Sequence, residues 1–135
     1  IDKKARASLA KINLDYGHGT GHGVGFFSNV HEGPQAISKF NSVELKKGMI
    51  VSNEPGYYEE GKFGIRIENL IYVEKEKNKL KFKNLTMAPI DKDLINEKLL
   101  TSKEKSYLLN YNLEVYSKIS KFLDKNERSW LLNLI

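Results

Sequence analysis

Residues 15–34 read DYGHGTGHGVGFFSNVHEGP, and residues 52–70 read SNEPGYYEEGKFGIRIENL. In the first stretch glycine recurs at every second position from Gly17 to Gly25. A helix is untenable there, because each glycine costs a helix about 1 kcal/mol relative to alanine. All ten glycines of the chain lie between Gly17 and Gly64, and all three histidines between His18 and His31. The second stretch sets Glu54 before Pro55-Gly56 and Glu68 within an apolar alternating run. Imidazoles and carboxylates therefore gather in a loop-rich middle, and the flanks read as regular structure.

Working outward, Ile1, Ala5, Leu9 and Ile12 have three-to-four spacing, which predicts the end of a helix over residues 1–13. A short strand is expected over 24–30, stopped by His31-Glu32-Gly33-Pro34. Residues 49–53 read as an apolar strand running into Glu54-Pro55-Gly56, where proline then glycine suit a type II turn and leave Glu54 at the strand's end. Residues 63–73 carry the clearest strand pattern, with Ile65, Ile67, Ile71 and Val73 on one face. Lys75 to Lys79 is a polar hairpin connection, and 80–85 is the returning strand. Pro89 marks a change, since the 46 residues beyond it contain neither glycine nor proline. There Thr101 and Glu104 form a capping box, followed by an apolar stripe of Leu108, Val115, Ile119 and Phe122. A second short helix is expected from Asn126 through Trp130 to Leu134.

Composition removes several classes of function. With 135 residues, 40% hydrophobic and 29% charged, the chain is globular in character. Zero cysteines exclude disulfides, thiolate metal sites and a thiol nucleophile. No apolar run approaches the roughly 20 residues of a membrane span, and no signal-peptide pattern opens the chain, so no membrane partner and a cytoplasmic location are expected. The net charge of +5 invites a nucleic-acid reading. However, 19 of the 22 basic residues are lysines scattered among acids, as in Glu74-Lys75-Glu76-Lys77, so no nucleic-acid partner is expected.

His18, His22, His31, Glu54 and Glu68 are the residues with chemistry to offer. Imidazole and carboxylate without thiolate suit Mn, Fe, Co or Zn. Gly21 and Gly23 would let backbone and ligand approach His22 closely. Blander readings stand beside this one. Arg66 and Glu68 two residues apart could be a salt-bridge ladder on a wet sheet face. The Gly-His alternation could be a flexible loop or a phosphate cradle, although no Lys-Ser/Thr follows it. Ser28 or Ser38 as a nucleophile lacks the sequence of a nucleophile elbow.

The two quoted stretches, in that order and spacing, resemble the Xaa-Pro aminopeptidases (aminopeptidase P), dinuclear-metal exopeptidases of the pita-bread fold. The resemblance covers residues 1–89, and 90–135 is similar to the helical C-terminal extension of the long members. It implies an α+β fold, the C-terminal half of a pita-bread domain with an antiparallel sheet and helices, followed by a small helical extension. It further implies that His22, Glu54 and Glu68 are metal ligands, with Glu54 also the general base and Glu68 bridging two ions. His18 and His31 would bind substrate and stabilise the tetrahedral intermediate, while Arg66 and Tyr58 orient the carboxylates. The implied cofactors are two divalent ions, Mn²⁺ first and Zn²⁺ or Co²⁺ next.

The family's two aspartate ligands lie far upstream of the histidine corresponding to His22, before which this sequence has only 21 residues. Asp2 and Asp15 are too near to replace them. The expectation is therefore a C-terminal fragment, inactive alone and holding at most one metal. Its partners would be the missing N-terminal part of the same enzyme, a proline-containing peptide, and a second copy met through the C-terminal extension. A prolidase fragment and a non-catalytic assembly module are the alternatives.

Overall fold

The computed structural model describes residues 1–27 and 29–135. The chain divides into two compact units, Ile1–Thr86 and Met87–Ile135. Among the described residues of the first unit, α1 (Asp2–Ala5) and α2 (Ala7–Ala10) precede seven strands. These are β1 (Gly21–His22), β2 (Ala36–Ile37), β3 (Ile50–Asn53), β4 (Gly56–Glu59), β5 (Phe63–Arg66), β6 (Asn69–Glu76) and β7 (Lys79–Asn84). All pairings are antiparallel: β1 with β2, β4 with β5, and a three-stranded sheet in the order β3-β6-β7. Val51 opposite Ile71 sets the register of that sheet, and Ile37 packs on both to close the core.

Several expectations need correction. The predicted 1–13 helix breaks at Arg6, and its buried face carries Asp2 rather than an apolar stripe; Ile1 and Ile12 are exposed. The described part of 24–30 is a loop, closed where Glu32 N donates to Gly23 O and Gly25 N to Asn29 O; Ser28 lies outside the described residues. The single strand over 63–73 is two strands, because Ile67-Glu68 carries the chain from the β4–β5 hairpin into the three-stranded sheet. Strand β5 is exposed on both faces, Ile65 included, and Ile67 is exposed, whereas Ile71 and Val73 of β6 are buried. Residues 54–56 form no type II turn, because that turn requires positive φ at Gly56, and the positive-φ glycines are Gly48 and Gly61. They lead instead from β3, paired with β6, to β4, paired with β5. The hairpin turn is tighter than expected, with Glu76 opposite Lys79 and Lys77 at φ +54°.

In the second unit α3 (Ser102–Ile119) begins at the expected Thr101–Glu104 capping box. A second capping box, Asp124 with Glu127, opens α4 (Lys125–Leu132). Tyr111, Val115 and Leu131 form the core, with Ile119 and Ile90 packed against it. Phe122 leaves the predicted stripe and is exposed, because the chain tightens into a 3₁₀ turn at Ser120–Phe122 and loses the α-helical phase.

Candidate metal centre

The site is built around Ser52. Strand β3 places it fully buried, and Gly21 of β1 lies so close that a Cβ there would enter the Ser52 carbonyl oxygen. At this approach the Ser52 hydroxyl accepts from His22 N at 2.9 Å and donates to Glu54 Oε1 at 3.0 Å. Glu54 lies just past the end of β3, and its own N–H donates to Thr20 O at 2.8 Å. One hydroxyl thus sets the spacing of a histidine and a carboxylate that lie 32 positions apart in sequence.

His22 Nδ1 lies 3.0 Å from Gly23 O, which can only accept, so Nε2 is the ring nitrogen that a metal could take. Nε2 points at Glu54 Oε1, 3.1 Å away. Glu68, exposed immediately before β6, brings a third donor, and donor atoms of His22, Glu54 and Glu68 lie within 4.8 Å of one another. One imidazole and two carboxylates in this compass fit a hard or borderline divalent ion. Held Nδ1 and the Ser52 bond to Glu54 are the outer contacts that orient such ligands.

Around them stand the other expected residues. The His31 ring packs on His22 with centroids 3.9 Å apart. Arg66 Nη1 is 3.5 Å from Glu54 Oε2, and Arg66 Nε donates to the Tyr58 hydroxyl at 2.7 Å. That bond to Tyr58 holds the Arg66 guanidinium above its ordinary pKa. Because the Tyr58 oxygen accepts from Arg66, its proton is free for His18 Nε2 at 2.8 Å, and His18 Nδ1 donates to Gly19 O at 2.7 Å. Arg66 ion-pairs with Glu54, so the salt-bridge ladder with Glu68 gives way to a bond across the site.

Four participants escaped sequence reading: Ser52, Asp2, Arg6 and Thr20. Ser52 had a signal, since it lies two positions before Glu54, a spacing that puts both side chains on the same side of extended chain. Asp2 and Arg6 had none beyond their four-residue spacing. Asp2 is spent on Arg6 Nε at 2.9 Å and on the Thr20 hydroxyl at 2.6 Å. Burial pushes the Asp2 carboxyl up, but those two bonds outweigh it and hold the group below its ordinary pKa.

A histidine and two glutamates thus converge at the strand ends of an α+β fold, a donor set that could hold a metal ion. The profile of metallopeptidase family M24 matches residues 1–75, that of the C-terminal region of peptidase M24 matches 78–134, and the chain belongs to this family. It is 49% identical, over 97% of its length, to a protein of Coprinopsis cinerea called a probable Xaa-Pro aminopeptidase P, and covers 23% of that protein. The solved X-prolyl aminopeptidase of Caenorhabditis elegans, a cytosolic enzyme with a di-nuclear active site, matches 98% of this chain with TM-score 0.90 and 36% identity. The chain covers 23% of that structure as well. The prolidase of Pyrococcus furiosus matches 62% of this chain and 23% of its own at TM-score 0.54 and 32% identity.

Proposed function

We propose that residues 1–135 supply the C-terminal part of the active site of an Xaa-Pro aminopeptidase, which removes the first residue from peptides with proline second. The observation that carries the reading is the convergence of His22, Glu54 and Glu68 donor atoms within 4.8 Å. These three side chains hold at most one ion, and the completed site holds two, with manganese the first assignment and zinc or cobalt next. When bound, paired divalent ions lower the pKa of water and polarise a carbonyl.

This chain's residues do the rest. Glu54, braced by Ser52 and Arg66, takes a proton from the attacking water and passes it to the leaving nitrogen. In an Xaa-Pro bond that nitrogen is tertiary and has no N–H, and like any amide leaving group it departs as a neutral amine only once a proton is delivered to it. His18 and His31 bind substrate, and a ring N–H offered to the carbonyl oxygen stabilises the charge that develops on it; for His18 this requires its Nε2 bond with Tyr58 to be exchanged for one with substrate. Tyr58 and Arg66 keep His18 and Glu54 in register.

Residues 1–89 form the catalytic part and 90–135 the helical extension, the surface through which a second copy would join. The proposed location is the cytosol, in keeping with the nematode relative; no helix among the described residues is long and apolar enough to cross a membrane. A prolidase is the second reading, favoured by the Pyrococcus match, although that match covers only 62% of this chain. The deciding experiment grafts residues 1–135 into the Coprinopsis relative in place of the matched segment. Hydrolysis of proline-second tripeptides, abolished by Glu54→Gln, supports the reading. Turnover confined to Xaa-Pro dipeptides indicates a prolidase, and a folded, inactive chimera rejects both.

A further inference from the structure

Residues 14–19, which carry His18, belong to no strand or helix. Arg6, with its side chain only 14% exposed, holds this loop. Its Nε donates to Asp2 Oδ2 at 2.9 Å, and Nη1 donates to Asp15 Oδ1 at 2.7 Å and to Tyr16 O at 2.8 Å. Its Nη2 donates to His18 O at 2.6 Å, and the guanidinium plane lies 4.0 Å over the Tyr16 ring. From the other side, Asp2 Oδ1 accepts from the Thr20 hydroxyl at 2.6 Å, and that hydroxyl accepts from Tyr16 OH at 2.5 Å. The Thr20 carbonyl then receives the Glu54 N–H at 2.8 Å. Asp2, Tyr16 and Thr20 are all buried, so water offers no substitute for these bonds.

We propose that Arg6 is the positioning residue of the site. It holds His18 where Nε2 meets the Tyr58 hydroxyl and, with Asp2 and Thr20, fixes the distance from that histidine to Glu54. A guanidinium is suited to this task because its planar fork reaches four acceptors while stacking flat on Tyr16; an ammonium can do neither together. Arg6 acts through the loop and takes no part in proton transfer. What the geometry is for rests on the metallopeptidase reading above.

The test uses the 135-residue chain with Arg6→Met and Arg6→Lys. The readouts are the imidazole ¹H–¹⁵N signals of His18, amide exchange over residues 15–20, the urea midpoint, and Co²⁺ binding. In folded Arg6→Met, His18 is expected to show averaged tautomers and the loop amides to exchange at least tenfold faster. Arg6→Lys should fall between it and the parent. Wild-type His18 signals and loop exchange in folded Arg6→Met overturn the proposal, even if the urea midpoint drops, because the arginine would then be merely structural. Should Arg6→Met fail to fold, unchanged His18 signals in Arg6→Lys overturn it equally. A parent chain that binds no Co²⁺ while the His18 shift occurs would defeat the metallopeptidase reading and leave the role of Arg6 standing.

Discussion

Replacing Ser52 by alanine removes one oxygen and disturbs two site residues at once. The hydroxyl is fully buried, so its loss leaves the His22 N–H without its 2.9 Å acceptor and Glu54 without its 3.0 Å donor. An orphaned buried amide costs about 1–3 kcal/mol, and a hydrogen bond to a charged group contributes about 1.5–3 kcal/mol. The two share one oxygen and do not add fully. Ser52→Ala is therefore expected to destabilise the chain by about 2–3 kcal/mol in urea unfolding. Because Ser52 also orients two of the proposed ligands, His22 and Glu54, affinity for Mn²⁺ by titration calorimetry should fall about tenfold or more. A stability change under about 0.5 kcal/mol with unchanged affinity would refute the reasoning, since that is the range of an ordinary surface substitution.

Other perturbations have equally definite outcomes. Gly21→Ala drives a Cβ into the Ser52 carbonyl, so the β1–β3 approach must open; metal binding should be lost even where the chain still folds, as calorimetry with circular dichroism would show. Asp2 has a depressed folded pKa, so its contribution is present above the ordinary value of 3.8 and disappears as pH falls through the folded value. Unfolding scans from pH 5 down to about 2 should show a loss of stability that is smaller in Asp2→Asn, where only the other depressed carboxyls, such as Asp15 and Glu59, still contribute. Thr101→Ala removes the cap of α3 and should cost about 1 kcal/mol in urea unfolding without altering metal affinity.

How much of this could be read from the sequence differs by the range of the interaction. The Thr101–Glu104 box, the Leu80 return strand and the position of Glu54 at a strand end follow from patterns within a few residues. The grouping of His22 with Glu54 and Glu68 came through the resemblance of the two stretches to the Xaa-Pro aminopeptidases; the residues alone singled out five candidates without choosing among them. The break at Ile67-Glu68 was not, since neither residue opposes extended backbone and the strand changes sheets for tertiary reasons. Phe122 was misassigned for a related reason: a helical stripe holds only while the α-phase does, and Ser120–Phe122 tightens to a 3₁₀ turn. Nothing local to Arg6 marked it beyond its spacing from Asp2; its role depends on Asp15, Tyr16 and His18 folding back over it.

The central claim is that His22, Glu54 and Glu68 form the metal-holding part of the site. The most direct measurement counts Mn²⁺ bound to the purified 135-residue chain and to its His22→Ala and Glu68→Gln variants. The account predicts one weakly held ion per parent chain, lost in both variants whose folded circular dichroism is intact. No bound ion, two ions per chain, or an ion that survives both substitutions would contradict it.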